Sequence, residues 1–250
     1  MNCFKFDLNN LFCIIKIRNF FYLPMPSKNL FWVKEYGFIW LLVIVVAVIA
    51  ATQFSSGAST VHVLLIRTGF YFVMIIGIAA STLSFALKRV GYGMAAILLL
   101  LAIALTVFPS RTFQVVYLLA TAVNLIIVLI VIFATIFDGN QMTTNKIIGG
   151  VAAYLLLAQM WTALYMAVDL INPNSFLLGG KPIVEDAMEH LSYFSFITLS
   201  TTGYGDVTAI EPLARTLVIF ETLIGQLFPA IFIAKLVNSH KGHSKYQNVD

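Results

Sequence analysis

Charge is what this sequence has least of. Only 10% of its 250 residues are Asp, Glu, Lys or Arg, while 60% are hydrophobic; soluble domains carry about 25% charged residues. A soluble fold has no way to hide so much apolar surface, so lipid is the natural solvent for this chain. Cysteine is nearly absent. Cys3 and Cys13 both fall in the N-terminal segment, match no metal-ligand spacing and give no disulfide framework, so they read as reduced thiols. Histidine is sparse and scattered, at His62, His190, His240 and His243, with no Ser-His-Asp or His-Glu-x-x-His arrangement. No enzymatic activity and no cofactor are expected.

A bilayer core of about 30 Å takes roughly 20 apolar residues in a helix. Six stretches qualify: Tyr36 to Ala51, Thr68 to Leu87, Val90 to Phe108, Thr112 to Phe137, Ile147 to Val168, and Thr216 to Ala234, the last interrupted by Glu221. Between the fifth and sixth lies Glu185 to Thr198, apolar in its second half and too short to cross, which suggests a re-entrant segment. Its acids Glu185, Asp186 and Glu189 are expected in the first turns, where the helix dipole favours negative charge.

Placing both termini in the cytoplasm puts Lys5, Lys16, Arg18, Lys28, Lys34, Lys88, Arg89, Lys146, Lys235, Lys241 and Lys245 inside, and Arg67, Arg111, Lys181 and Arg215 outside. That is eleven against four, and the positive-inside rule favours this orientation. The net charge of +4 is thus a topology signal. No basic cluster interleaved with aromatics offers a nucleic-acid surface. Phe4 to Phe21 is apolar but broken by Lys5, Asp7, Lys16 and Arg18, and it lacks the layout of a signal peptide. An interfacial helix and an extension upstream of a start at Met25 both remain open for this stretch.

The short segment leads into Thr201-Thr202-Gly203-Tyr204-Gly205-Asp206. Potassium selectivity requires rings of backbone carbonyls that replace the ion's hydration shell. Gly203 and Gly205 reach backbone angles denied to residues with a Cβ, and alternating them with Thr202 and Tyr204 lets successive carbonyls face one axis. The Thr201 hydroxyl is suited to complete the innermost ion cage. Tyr204 is expected to turn its ring outward, and Asp206 to place a carboxylate at the outer mouth. Potassium would bind at Thr201, Thr202, Gly203 and Tyr204. Taken alone, the hexamer also reads as an ordinary glycine-rich turn; its place between a short re-entrant segment and a span, on the outer side by charge count, favours the filter.

Tyr193 to Asp206 resembles the pore helix and filter of potassium channels, most closely those of the small ion-channel proteins of bacteria, and Glu221 to Leu227 is similar to the inner helix of that group. The resemblance covers Ile147 to Asn238. It implies an all-α membrane protein with six transmembrane helices, a re-entrant pore helix and a filter loop between helices five and six. It also implies a multi-pass protein of the plasma membrane that passively conducts K+ through a homotetramer, each chain meeting three identical subunits, potassium ions and the lipid bilayer. Thr202 stands where many such channels have valine. Position 197, which carries a carboxylate in some of them, is Ile197, so Asp206 needs another partner, with Tyr193 the candidate.

The expected organisation is an N-terminal cytoplasmic or interfacial segment (1–35), a four-helix membrane domain (36–146), a pore domain (147–238) and a short cytoplasmic tail (239–250). With sixteen residues after Ala234, no nucleotide- or calcium-binding domain is expected in the tail. In the sixth span Gly225 reads equally as a gating hinge and as a site of close helix packing. Pro229 removes a helical hydrogen bond and favours a kink, and Phe232 beyond it is the expected constriction. Glu221 is costly in lipid and should face protein or water. Asn124 is expected to bond a neighbouring helix, and His190 to lie at a surface. The six-span plan suggests voltage gating, but the fourth span carries no charge from Thr112 to Phe137, and a sensor needs several arginines at regular intervals. Two alternatives are a weakly selective cation channel, against which the intact Gly-Tyr-Gly counts, and a potassium-uptake transporter, which would need four filter loops where this chain has one.

Overall fold

The computed structural model describes residues 31–53, 69, 73, 75–76, 85–108, 110–137 and 142–244. Six helices and three short strands occur among them: α1 (Phe31–Gln53), α2 (Phe85–Val107), α3 (Arg111–Phe137), α4 (Thr144–Ile171), β1 (Phe176–Leu178), β2 (Lys181–Pro182), α5 (Ala187–Leu199), β3 (Val207–Ala209) and α6 (Pro212–Ser244). Most of the expected second span, Thr68 to Leu87, lies outside the described residues, as do the N-terminal segment 1–30 and the end of the tail.

Three helices are long and apolar enough to cross a membrane by length and composition: α3, α4 and α6 as far as Asn238. The described apolar parts of α1 and α2 are shorter, Gly37–Gln53 and Gly91–Leu105. Among the described residues the structure thus gives three candidate spans, where the whole sequence suggests six. All three expected domain limits fall inside helices: α1 begins before position 35, α4 begins at Thr144, before the limit at 146, and α6 runs past 239 to Ser244.

Helix starts follow local chemistry. Ser110 precedes α3 and its hydroxyl accepts from the Phe113 N–H at 3.3 Å. Thr143 caps α4 in an extended conformation, accepting from the Lys146 N–H. Pro212 opens α6, where a missing N–H is harmless, and the carboxylate of Glu211 accepts from the Ala214 N–H at 2.9 Å. The start of α5 departs from expectation. Asp186 sits at its N-cap in a left-handed conformation (φ 52°) without a side-chain cap bond. Glu185 and Asp186 therefore precede the helix, and Glu189 alone occupies the first turn.

Helix α4 is the hub, packed by α1, α3, α5 and α6. In lipid, burial against another helix gains little over burial in acyl chains, so close approach matters most. Gly149 and Gly150 provide it on two faces of α4. A methyl at Gly149 would lie 3.0 Å from the Phe38 ring of α1, and one at Gly150 would lie 2.3 Å from the Phe232 ring of α6. The buried hydroxyls of α3 satisfy themselves within the helix: Thr121 bonds the Tyr117 carbonyl and Thr135 that of Val131. Asn124 does the same, donating to the Ala120 carbonyl at 3.3 Å, and not to a neighbouring helix as its sequence suggested.

A small antiparallel sheet of order β2-β1-β3 departs from the all-α expectation. Leu178 pairs with Lys181 around Gly179 and Gly180, both at positive φ, as a tight two-residue hairpin requires. Strand β3 then pairs with β1, Leu177 opposite Thr208, so the chain leaving residues 201–206 is joined to the hairpin.

Candidate pore loop and its supports

Helix α5 ends at Leu199, and the chain reverses sharply through Ser200 and Thr201. The Thr201 N–H bonds the Thr198 carbonyl at 2.9 Å, and the N–H groups of Thr202 and Gly203 both reach the Ile197 carbonyl, at 2.8 and 3.1 Å. The donors of the loop are thereby turned back onto the end of α5. Positive φ recurs at every second residue, at Thr201 (58°), Gly203 (54°) and Gly205 (78°). Thr201 holds an angle unusual for a side chain with a Cβ. Among the described residues, no carbonyl from Thr201 to Gly205 accepts a backbone hydrogen bond, and all six residues from Thr201 to Asp206 are exposed in the single subunit. One edge of the loop is tied down; the other presents bare carbonyls.

Side chains reinforce this. The Thr202 hydroxyl lies 2.9 Å from that of Ser200, which gives the unusual threonine a partner in its own chain. At the outer end, the Tyr193 phenol lies close enough to the Asp206 carboxylate to interact with it. The Asp206 carbonyl accepts from the Gly179 N–H at 2.8 Å. The outer end is thus clipped to the hairpin.

Two phenols three turns apart on one face of α4 support the loop from behind. Tyr154 donates to the Leu199 carbonyl at 3.0 Å. Tyr165 is fully buried in a ring cluster, with centroids 5.2 Å from Phe176 of β1 and 5.4 Å from Phe194 of α5. Its hydroxyl bonds Glu221 of α6, whose other carboxylate oxygen lies 2.5 Å from the Ser195 hydroxyl of α5. Glu221 is 0% exposed, so it faces protein as its cost in lipid demanded. Tyr154, Tyr165 and Ser195 were not singled out by sequence; two tyrosines eleven residues apart in an apolar span were the available signal.

The expected hinge residues lie within one helix, α6. Helix continues unbroken through Gly225 and Pro229. Gly225 is buried against the end of α5: a Cβ there would lie 2.1 Å from the Leu199 carbonyl oxygen. Close packing accounts for this glycine. Phe232 stacks on Phe228 at 5.9 Å and covers Gly150, so its ring is directed at α4. Ile231 and Ile233 beside it are exposed. His190 is half-buried. No group of His, Cys, Asp and Glu able to hold a metal occurs among the described residues.

Residues 184–240 match the family described as "Ion channel". The match begins just before α5, includes the loop and β3, and takes in nearly all of α6, and it supports an ion channel of the pore-domain type. The chain is also 33% identical over 91 residues to Protein LctB of Bacillus caldotenax, an alignment covering 34% of this chain and 64% of LctB. The chain therefore spans somewhat under two thirds of that relative's length. No solved structure matches the chain significantly.

Proposed function

We propose that four copies of this chain form a potassium-selective channel of the plasma membrane, with residues 201–205 of each lining one axis. The observation that carries the reading is the conformation of the loop. The N–H groups of Thr201, Thr202 and Gly203 are committed to α5, the φ of the loop alternates in sign, and its carbonyls accept no backbone hydrogen bond among the described residues, as a carbonyl-lined filter needs. A single strand does not surround an ion, so closed fourfold symmetry follows. Helix α6 is membrane-long yet far less buried than α3 or α4. This leaves it a face for three partner subunits and the pore.

In this arrangement α5 is the re-entrant pore helix, and its C-terminal end places partial negative charge beneath the loop, which attracts cations. Asp206 concentrates them at the outer mouth. The six-helix plan with both termini in the cytoplasm, argued from lysine and arginine, completes the proposal. No cofactor takes part; K+ is the permeant ion.

Flux from liposomes tests it. With opposed potassium and sodium gradients, the reversal potential should follow potassium, and Gly203→Ala should abolish the selective current. A potential that ignores the potassium gradient would leave a weakly selective cation channel, and flux requiring a sodium or proton gradient would indicate a transporter.

A further inference from the structure

Glu221 joins three elements that support the loop, and the oxygen contacts around it count its protons. The Ser195 hydroxyl lies 2.8 Å from the Ala158 carbonyl oxygen of α4 and 2.5 Å from Glu221 Oε1. Oxygens this close are held together by a proton between them. The Ala158 carbonyl has none to give, so the Ser195 proton lies on that contact. A hydroxyl has only one, so the proton on the 2.5 Å contact comes from the carboxyl. Tyr165 supplies its own to Oε2. Among the described residues, Tyr154 is the other titratable group close enough to interact with Glu221. No lysine, arginine or histidine is bonded to the carboxyl among the described residues.

We propose that Glu221 is held as the neutral carboxylic acid and acts as a positioning residue for the filter. It accepts from Tyr165 and donates to Ser195, which donates in turn to Ala158. This directed chain fixes α5 between α4 and α6, four residues before the helix ends at Leu199 and delivers the loop. Lipid reinforces the neutral form, since a lone carboxylate at this depth is expensive. The selectivity part of the inference rests on the channel reading; the protonation part does not.

Glutamine copies the neutral acid: its amide donates to Ser195 and its carbonyl accepts from Tyr165. E221Q should therefore keep the thermal midpoint of the purified protein and a potassium-to-sodium permeability ratio within about twofold of the parent chain. E221A, which loses the whole bridge, should lower that ratio about tenfold, the order of a lost buried hydrogen bond. S195A gives a milder disturbance should E221A fail to fold, and should shift the ratio in the same direction. Infrared spectra of the parent chain should contain a protonated-carboxyl stretch that disappears in E221Q. Loss of selectivity in E221Q as large as in E221A, or an infrared spectrum whose lost bands are those of a carboxylate, would overturn the proposal. If the parent chain carries no potassium flux, the channel reading fails by itself, while the infrared and thermal results still decide the state of Glu221.

Discussion

A glycine in the middle of a membrane helix admits two physical roles, and the contact at Gly225 discriminates between them. A methyl group placed 2.1 Å from the Leu199 carbonyl oxygen has to push aside either α6 or the last turn of α5. Overpacking of this kind costs about 1–3 kcal/mol. The strain falls on the residue that also receives the Tyr154 phenol, two positions before Thr201. Gly225→Ala should therefore reduce thermal stability by about that amount and weaken potassium selectivity. Paired melting and bi-ionic potentials would check it; an altered open probability with both quantities unchanged would restore the hinge reading. Pro229 acts on the same spot from within the helix. Its missing N–H leaves the carbonyl four residues earlier, that of Gly225, without its usual donor. The sequence made these two residues conspicuous through their rarity in helix interiors. It was silent about the carbonyl opposite them, because that contact joins residues far apart along the chain.

At the scale of elements, α3 illustrates how an absence constrains function. It is long enough to span a bilayer, and its single basic residue, Arg111, is its first. The Arg111 guanidinium is occupied at 2.5 Å by the Leu170 carbonyl at the end of α4, so it fastens one helix end to another. Moving a charge through 100 mV releases about 2.3 kcal/mol, and α3 has none to move. Currents should accordingly depend weakly on voltage. Steep activation equivalent to several charges per channel, recorded without blocking ions, would contradict this. The long apolar helices and the pore loop were legible because length, hydropathy and an alternating glycine pattern are local properties. The hairpin was legible in principle through Gly179-Gly180, a dipeptide that favours two-residue turns, but its pairing with β3 was not. That pairing depends on register across residues 179–206, a span with no periodic signal. The direction of Phe232 was hidden for a related reason: the rotation of a helix about its axis is set by what it packs on, here the notch at Gly150.

For the whole molecule, the proposed fourfold assembly makes a plain demand on mass. Native mass measurement in detergent should find four chains, and a conducting monomer or dimer would refute the arrangement. The face available for such an assembly is visible on α6, where Leu223, Leu227 and Ile231 recur at helical spacing and stay exposed. The loop itself bears on how the assembly would form. Residues 201–206 are anchored at the bottom to the Ile197 carbonyl and at the top to Gly179, all within one chain. In the proposed tetramer each subunit would bring a ready-shaped quarter of the ion pathway to its partners. The ordering entropy of the loop is spent during folding of the single chain, and association becomes the docking of preorganised surfaces, the cheaper route to a tight complex. In such a ring the loop would owe its shape to contacts within its own chain, at Ile197 and Gly179.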